Sequence, residues 1–301
     1  MRSIALAFFL LIQTATRACD VCGTAGNSQG LGILPQFYKH FVGLQYQYRS
    51  FSSTHPSVFE WMQPESSKEY YQTMQIWGKA NIGSKWQVFG FLPYQYNKQV
   101  TSTKSTQYQG IGDVSTVIMA TLLRTPDTSA GLKHILIAGG GIKAPTAHRN
   151  DNAGTGNAMN LQTGSGSWDF VANVNYTIRS NNAGINTEAQ YVITTANNNY
   201  KYGNRLSAGI AGFYWHKWGN WVLQPQLGIR LDYALHDYDN YSQKWLDRGT
   251  GGYIGLSNAG LQFFYKRIGL QCNYALPVWQ QYAKGNVRAT HRFDSGLLYF
   301  F

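Results

Sequence analysis

The chain has little charge and less acid. It carries 14 Asp and Glu against 25 Lys and Arg in 301 residues, and charged residues make up 13% of it. An average soluble domain has about 25%. Long apolar runs are also missing. After the first 18 residues no stretch of helix-spanning length is free of polar groups, and the mean hydropathy is −0.31. That excludes a bundle of transmembrane helices, each of which needs about 20 apolar residues. Cysteine is reduced to Cys19, Cys22 and Cys272, too few for a disulfide framework or a four-thiolate zinc site. The Gly-rich run 154–166 lacks the Gly-Lys-Ser/Thr ending of a phosphate loop. No heptad, helical domain or internal repeat is present.

What is abundant is aromatic and small: 21 Tyr, 9 Trp and 32 Gly. In 287–301, Phe293, Leu297, Tyr299 and Phe301 alternate with Arg288, Thr290, Arg292, Asp294 and Gly296. An apolar face alternating with a polar one suits a strand with lipid on one side and water on the other. About twelve such strands are expected, at 39–50, 70–83, 86–99, 111–124, 133–144, 167–180, 183–196, 203–217, 219–234, 252–266, 268–278 and 287–301. Short and long connections alternate between them, as tight periplasmic turns and longer outer loops would. The expected fold is therefore all-β: a transmembrane antiparallel up-and-down barrel of about 12 strands, with Tyr and Trp in interfacial girdles. A secreted sandwich is the alternative, but one sandwich takes only about 100 residues. The terminal aromatic Phe301 fits a signal read by a barrel assembly machinery.

Arg2, the apolar run Ile4 to Ile12 and Thr16-Arg17-Ala18 predict a signal peptide over 1–18. An N-terminal periplasmic lead, 19–38, then precedes a barrel over 39–301. The Cys19-Asp20-Val21-Cys22 pair in this lead admits a local disulfide, a soft-metal site or lipidation at Cys19. The net charge of +11 is spread along the strands rather than clustered. Anionic lipopolysaccharide, outer-membrane lipid or a small-molecule solute are thus expected partners rather than nucleic acid. No cofactor is expected.

Alternation also sorts the lumen. Gln45, Gln47 and Arg49 oppose Val42, Leu44, Tyr46 and Tyr48; Gln224, Gln226, Arg230 and Asp232 oppose Trp221, Leu227 and Leu231; Glu188 opposes Tyr191. Arg49, Lys79, Arg179, Arg205, Arg230, Lys266, Arg288 and Arg292 are expected inward with Asp169, Glu188, Asp232 and Asp294. This lumen either favours anions through excess positive charge or holds cross-lumen pairs that keep the barrel round. Phe89, Phe91 and Trp77 are also expected inward, where they could plug it. For catalysis, His236-Asp237-Tyr238-Asp239 is the best acid/base constellation among seven His, and it reads equally as a solvated loop. No His-x-Ser-Asn-Gly stretch of the barrel phospholipases occurs, so no enzyme is expected.

Leu161-Gln162-Thr163-Gly164-Ser165-Gly166-Ser167-Trp168-Asp169, followed by Tyr202-Gly203-Asn204-Arg205, is a more distinctive string. It resembles the outer-membrane transporter family known as the MetA pathway of phenol degradation. In that family a Gly-rich run ends in Ser/Gly-Trp-Asp and a Tyr/Phe-Gly-Asn/Asp pair follows. The lead around Cys19 and Leu34-Pro35-Gln36-Phe37 is similar to a Bacteroidetes-type branch, although Thr24 stands where that branch often has a further Cys. The resemblance implies an outer-membrane channel of a Gram-negative bacterium for passive uptake of small molecules, hydrophobic, aromatic or anionic. It marks Gly164, Gly166, Trp168 and Asp169 as motif residues. The rival expectation is a barrel that does not conduct: structural, adhesive or, at the margin, hydrolytic.

Overall fold

The computed structural model describes residues 31–32, 34–36, 39–55, 64–126, 131–148, 159–197, 200–247 and 249–301. The expected signal peptide, Cys19 and Cys22 lie outside them. Twelve strands form the barrel: β1 Phe41–His55, β2 Glu65–Ile82, β3 Trp86–Thr101, β4 Ser115–Arg124, β5 Lys133–Lys143, β6 Asp169–Ser180, β7 Ala183–Thr194, β8 Arg205–Tyr214, β9 Trp221–Ala234, β10 Gly252–Tyr265, β11 Ile268–Tyr282 and β12 Val287–Phe300. Each pairs antiparallel with the next. β12 returns to β1 with Phe41 opposite Phe300 and Ser53 opposite Val287. The sheet closes on itself and leaves no edge strand, the condition for crossing lipid as strands. No helix among the described residues is long and apolar enough to cross a membrane.

The alternation predicted from sequence is the observed one. On β2, Ser67, Glu69, Tyr71, Thr73, Gln75, Trp77 and Lys79 are buried, while Met74 and Ile76 between them are exposed. The outward set is apolar because it meets lipid, and the inward set is mostly amide and hydroxyl. Tight turns lie at one rim. Asn181 enters the two-residue turn between β6 and β7 at φ 48, a left-handed conformation Asn tolerates better than most residues.

Two local features depart from the simple reading, and a third, a glycine run, fits the bend or close backbone approach that its composition suggests. The fourth strand, expected over 111–124, is broken. Ser105–Ile111 continues its line along β3, and the chain steps out at Gly112 to Val114. Pro93 on β3 has no N–H to give there, and Gly112 donates its N–H to the Pro93 carbonyl at 2.8 Å. The connection expected over 100–110 is therefore mostly strand, and its turn is only 102–104.

Second, β12 bulges. Ser50 faces His291 but Phe51 faces Ala289, so Thr290 is the extra residue. A bulge resets the alternation. Past it, Val287 and Ala289 turn inward and Arg288 is exposed on the outer face. The expectation that Arg288 faces inward is corrected on this ground. Lys266 is also not inward: it sits in the tight turn at φ 52 with its nitrogen 5.2 Å from the Tyr265 ring centre.

Third, the Gly139-Gly140-Gly141 run on β5 reflects close approach. A Cβ on Gly139 would lie 2.0 Å from the Ile118 carbonyl oxygen, and one on Gly141 would lie 2.1 Å from that of Thr116. Only glycine lets β4 and β5 meet at this separation.

Candidate functional site: a three-tiered lumen

Following β1 inward from the tight-turn rim gives the plan of the lumen. Phe41 belongs to an apolar cluster, Gln45, Gln47 and Arg49 are polar, and Phe51 belongs to a second apolar cluster. β12 repeats this in reverse, with Phe300 and Leu298, then Asp294 and Arg292, then Ala289 and Val287.

The tier near the tight turns is built from Phe41, Trp77, Phe89, Phe91, Val117, Met119, Ile137, Leu298 and Phe300. Trp77 stacks on Phe91 at 5.9 Å and meets Phe41 edge-on at 4.8 Å. The segment before β1 completes it. Leu31 and the 3-10 turn Leu34–Gln36 lie inside the barrel, with Leu31 5% and Leu34 2% exposed. Barrel side chains hold this segment by its backbone. Gly32 N–H donates to Glu188 Oε2 at 3.0 Å, Asn175 Nδ2 donates to the Gly32 carbonyl at 2.7 Å, and Arg124 donates to that of Gln36 at 3.3 Å. Lys79 Nζ reaches the Leu34 carbonyl at 3.4 Å, and Gln36 bonds Thr177.

The middle tier is polar and its charges are paired. Arg230 lies 3.2 Å from Glu188 and 3.1 Å from Asp232; Arg292 bonds Asp232; Arg49 lies 3.9 Å from Asp294. Three guanidiniums thus face three carboxylates across β1, β7, β9 and β12. The belt is thus balanced in charge, and the excess positive charge that counting inward residues by sequence suggests does not lie in it.

The tier near the long loops combines Phe51, Tyr71, Ile254, Leu256, Tyr282, Val287 and Leu161. Leu161 comes not from a strand but from the connection between β5 and β6, which folds inward as the 3-10 turn Met159–Leu161. Asn97 on β3 anchors it, donating to the carbonyls of Leu161 at 3.0 Å and Gln162 at 3.3 Å.

The motif string ends in a buried ionic knot. Lys143 lies 2.5 Å from Asp169 and 3.3 Å from Asp113, and Arg205 lies 4.0 Å from Asp169. Ser165 donates its N–H and its hydroxyl to Asp113 at 2.8 and 3.1 Å. Gly164 gives room for this: a Cβ there would lie 2.4 Å from Asp113 Oδ1. Gly166 turns at φ 69, and Trp168 stays 52% exposed on the outer face. Sequence reasoning missed Lys143 and Asp113. Asp113 follows Gly110-Ile111-Gly112, a pattern that signals a strand break. Nothing in sequence marks Lys143 as the centre of the knot.

Gln45, Gln47, Arg49, Glu188, Gln226, Arg230, Arg292 and Asp294 converge on one cavity of about 140 Å³ in the middle tier. Gln224 and Asp232 are buried close by on β9, while Lys79 sits in the lower tier and Asp169 with Arg205 in the knot. His236 and Asp237 do not form an acid/base pair aimed at space. His236 Nδ1 contacts the Thr250 carbonyl, and Asp237 accepts from Tyr200 and the Gly203 N–H at 2.5 and 2.6 Å. Burial raises the Asp237 carboxyl above its ordinary range against those hydrogen bonds. Among the described residues no cluster of His, Cys, Asp and Glu could hold a metal ion.

A closed twelve-stranded barrel with a lipid-compatible outer face and a polar chamber inside fits the outer-membrane barrel class. The fold is similar to that of the COG4313 outer membrane channel from Pseudomonas putida F1, with a TM-score of 0.64 at 12% identity over 93% of this chain and 98% of that one. The beta domain of the Bordetella autotransporter BrkA aligns at a TM-score of 0.49 and 10% identity over 87% of this chain and 100% of that one. No protein-family model matches the chain, and no curated protein matches it in sequence.

Proposed function

We propose that this barrel is a gated outer-membrane channel for the passive passage of small molecules. One observation carries the reading: a polar chamber lies between two apolar tiers, and each tier is completed by a segment that is not part of the barrel wall. A purely structural barrel needs no such chamber. Leu31 and Leu161 are the removable parts, since neither is held in the sheet ladder.

Magnitudes favour a closed resting state. Exposing Leu31 and Leu34 costs about 3–6 kcal/mol, so the open form is populated at roughly 1% or less. The matched Arg–carboxylate belt supports weak discrimination between cations and anions rather than anion selectivity. The polar chamber also gives no support to the hydrophobic or aromatic solutes that the resemblance to the phenol-degradation transporters implies. The same reading places the chain in a Gram-negative outer membrane, with lipid and lipopolysaccharide around it and Phe301 available to an assembly machinery. It has no catalytic step: the Ser165 hydroxyl, 2.9 Å from Lys143, is engaged by Asp113 and is not a free nucleophile.

Single-channel recording of the refolded chain in a planar bilayer tests this. Brief, infrequent openings with a reversal potential near zero in a salt gradient are expected. A barrel that migrates as folded in detergent gels yet never opens would support the non-conducting alternative.

A further inference from the structure

The middle chamber has unmet hydrogen-bonding groups of both kinds, and its wall is cut back to keep it open. Gln262 and Arg292 are 6% and 4% exposed, yet Gln262 Oε1 and the Nε and Nη2 of Arg292 have no hydrogen-bond partner. Asn273 Oδ1, on the adjacent strand, also has none. Buried polar atoms are normally paired, so a set of orphans on residues that line one cavity points to an occupant. Two glycines shape the space independently. A Cβ on Gly260 would lie 2.5 Å from Gln226 Nε2, and one on Gly296 would lie 2.7 Å from Gln271 Nε2. These amides therefore lie flat against the wall over glycine instead of filling the chamber.

From this we infer a binding site for a neutral polyhydroxylated solute of monosaccharide size, which rests on the channel reading above. The chemistry of the wall selects the class. Each carboxamide offers a donor and an acceptor side by side, and a hydroxyl is the group that answers both. The belt matches three guanidiniums with three carboxylates, so an anion meets no net positive charge there and loses its hydration. An aromatic ring would leave the orphan acceptors of Gln262 and Asn273 unpaired. The volume of about 140 Å³ holds roughly five to ten waters, the space of a polyol up to the size of a monosaccharide. Such an occupant displaces water while replacing its hydrogen bonds.

Equilibrium dialysis of the refolded full chain against glucose, sorbitol, benzoate and phenol tests the assignment. Saturable millimolar binding of glucose and sorbitol is expected, with neither aromatic competing. The double variant Gln262→Leu with Asn273→Leu should weaken polyol binding about tenfold through two lost hydrogen bonds. Its thermal stability should be unchanged or higher, because apolar groups of similar shape replace buried polar atoms. A drop in stability with binding intact would mean the amides are structural and would overturn the inference. So would saturable binding of benzoate or phenol instead, or no saturable binding at all. The channel reading fails separately: a chain that binds polyol but never conducts keeps the site and loses the gate.

Discussion

Gly32 donates its backbone N–H to Glu188 Oε2 at 3.0 Å, while the other oxygen of the same carboxylate holds Arg230 at 3.2 Å. The segment ahead of the barrel is thereby tied to the charged belt of the middle tier. Movement of the one is felt by the other. Replacing Glu188 by Gln keeps an acceptor for Gly32 but removes the charge facing Arg230. This variant should open about fivefold more often than the wild type in bilayer recordings, since exchanging a charge-assisted bond for a neutral one loses about 1 kcal/mol. An unchanged open probability would detach the belt from the gate.

The ionic knot at Lys143 predicts a stability effect distant from the chamber. Lys143 is buried between Asp113 and Asp169. Removing one partner of a buried ion pair leaves an uncompensated charge and costs about 3–5 kcal/mol. Lys143→Met should lower the unfolding free energy obtained by denaturant titration by that order. Lys143→Met combined with Asp113→Asn and Asp169→Asn should recover most of the loss, and a triple variant no more stable than the single one would contradict this account.

The bulge at Thr290 makes a clear accessibility prediction. Arg288 is exposed on the outer face and Arg292 is buried in the lumen. In a Cys272→Ser background, Arg288→Cys should react with a bulky charged thiol reagent on detergent-solubilised barrel within minutes, and Arg292→Cys should resist it. Equal labelling at both positions would restore the regular alternation.

Asp237 couples an outer connection to pH. Its carboxyl is raised by burial, so the folded loop binds a proton more tightly than the unfolded one, whose Asp titrates near 3.9. The resulting stabilisation is fully present below about pH 4 and is lost as pH rises through the raised value. Protease cleavage after Trp245 or Lys244 should accelerate as pH rises above about 4, relative to a denatured control. In Asp237→Asn that dependence should vanish, and if it persists the titrating group is another.

Much of this barrel is legible in sequence because its signal is repeated. Each strand alternates against lipid, so β1, β7 and β9 sort into faces from residue types alone. The lumen is less legible because its order comes from contacts distant in sequence. Asp169 is marked by a motif, but its closest cation is Lys143 on another strand, which no motif marks. Arg288 shows the other limit. One inserted residue inverts a strand, and Thr290 looks no different from any other strand residue. The inward placement of Trp77, Phe89 and Phe91 is legible in the alternation. That Leu31 and Leu161 would enter the barrel is not, since segments outside the sheet carry no periodicity to read.

The most direct test of the gate is the current through single barrels of the wild type beside a Leu31→Asp, Leu34→Asp variant, both verified as folded by heat-modifiable mobility. Two carboxylates cannot stay in the apolar tier of Trp77 and Phe89, so the lead should leave it. The account predicts rare, brief openings in the wild type and long-lived openings of the same unit conductance in the variant. Identical traces from the two proteins, whether both steadily open or both silent, would contradict it.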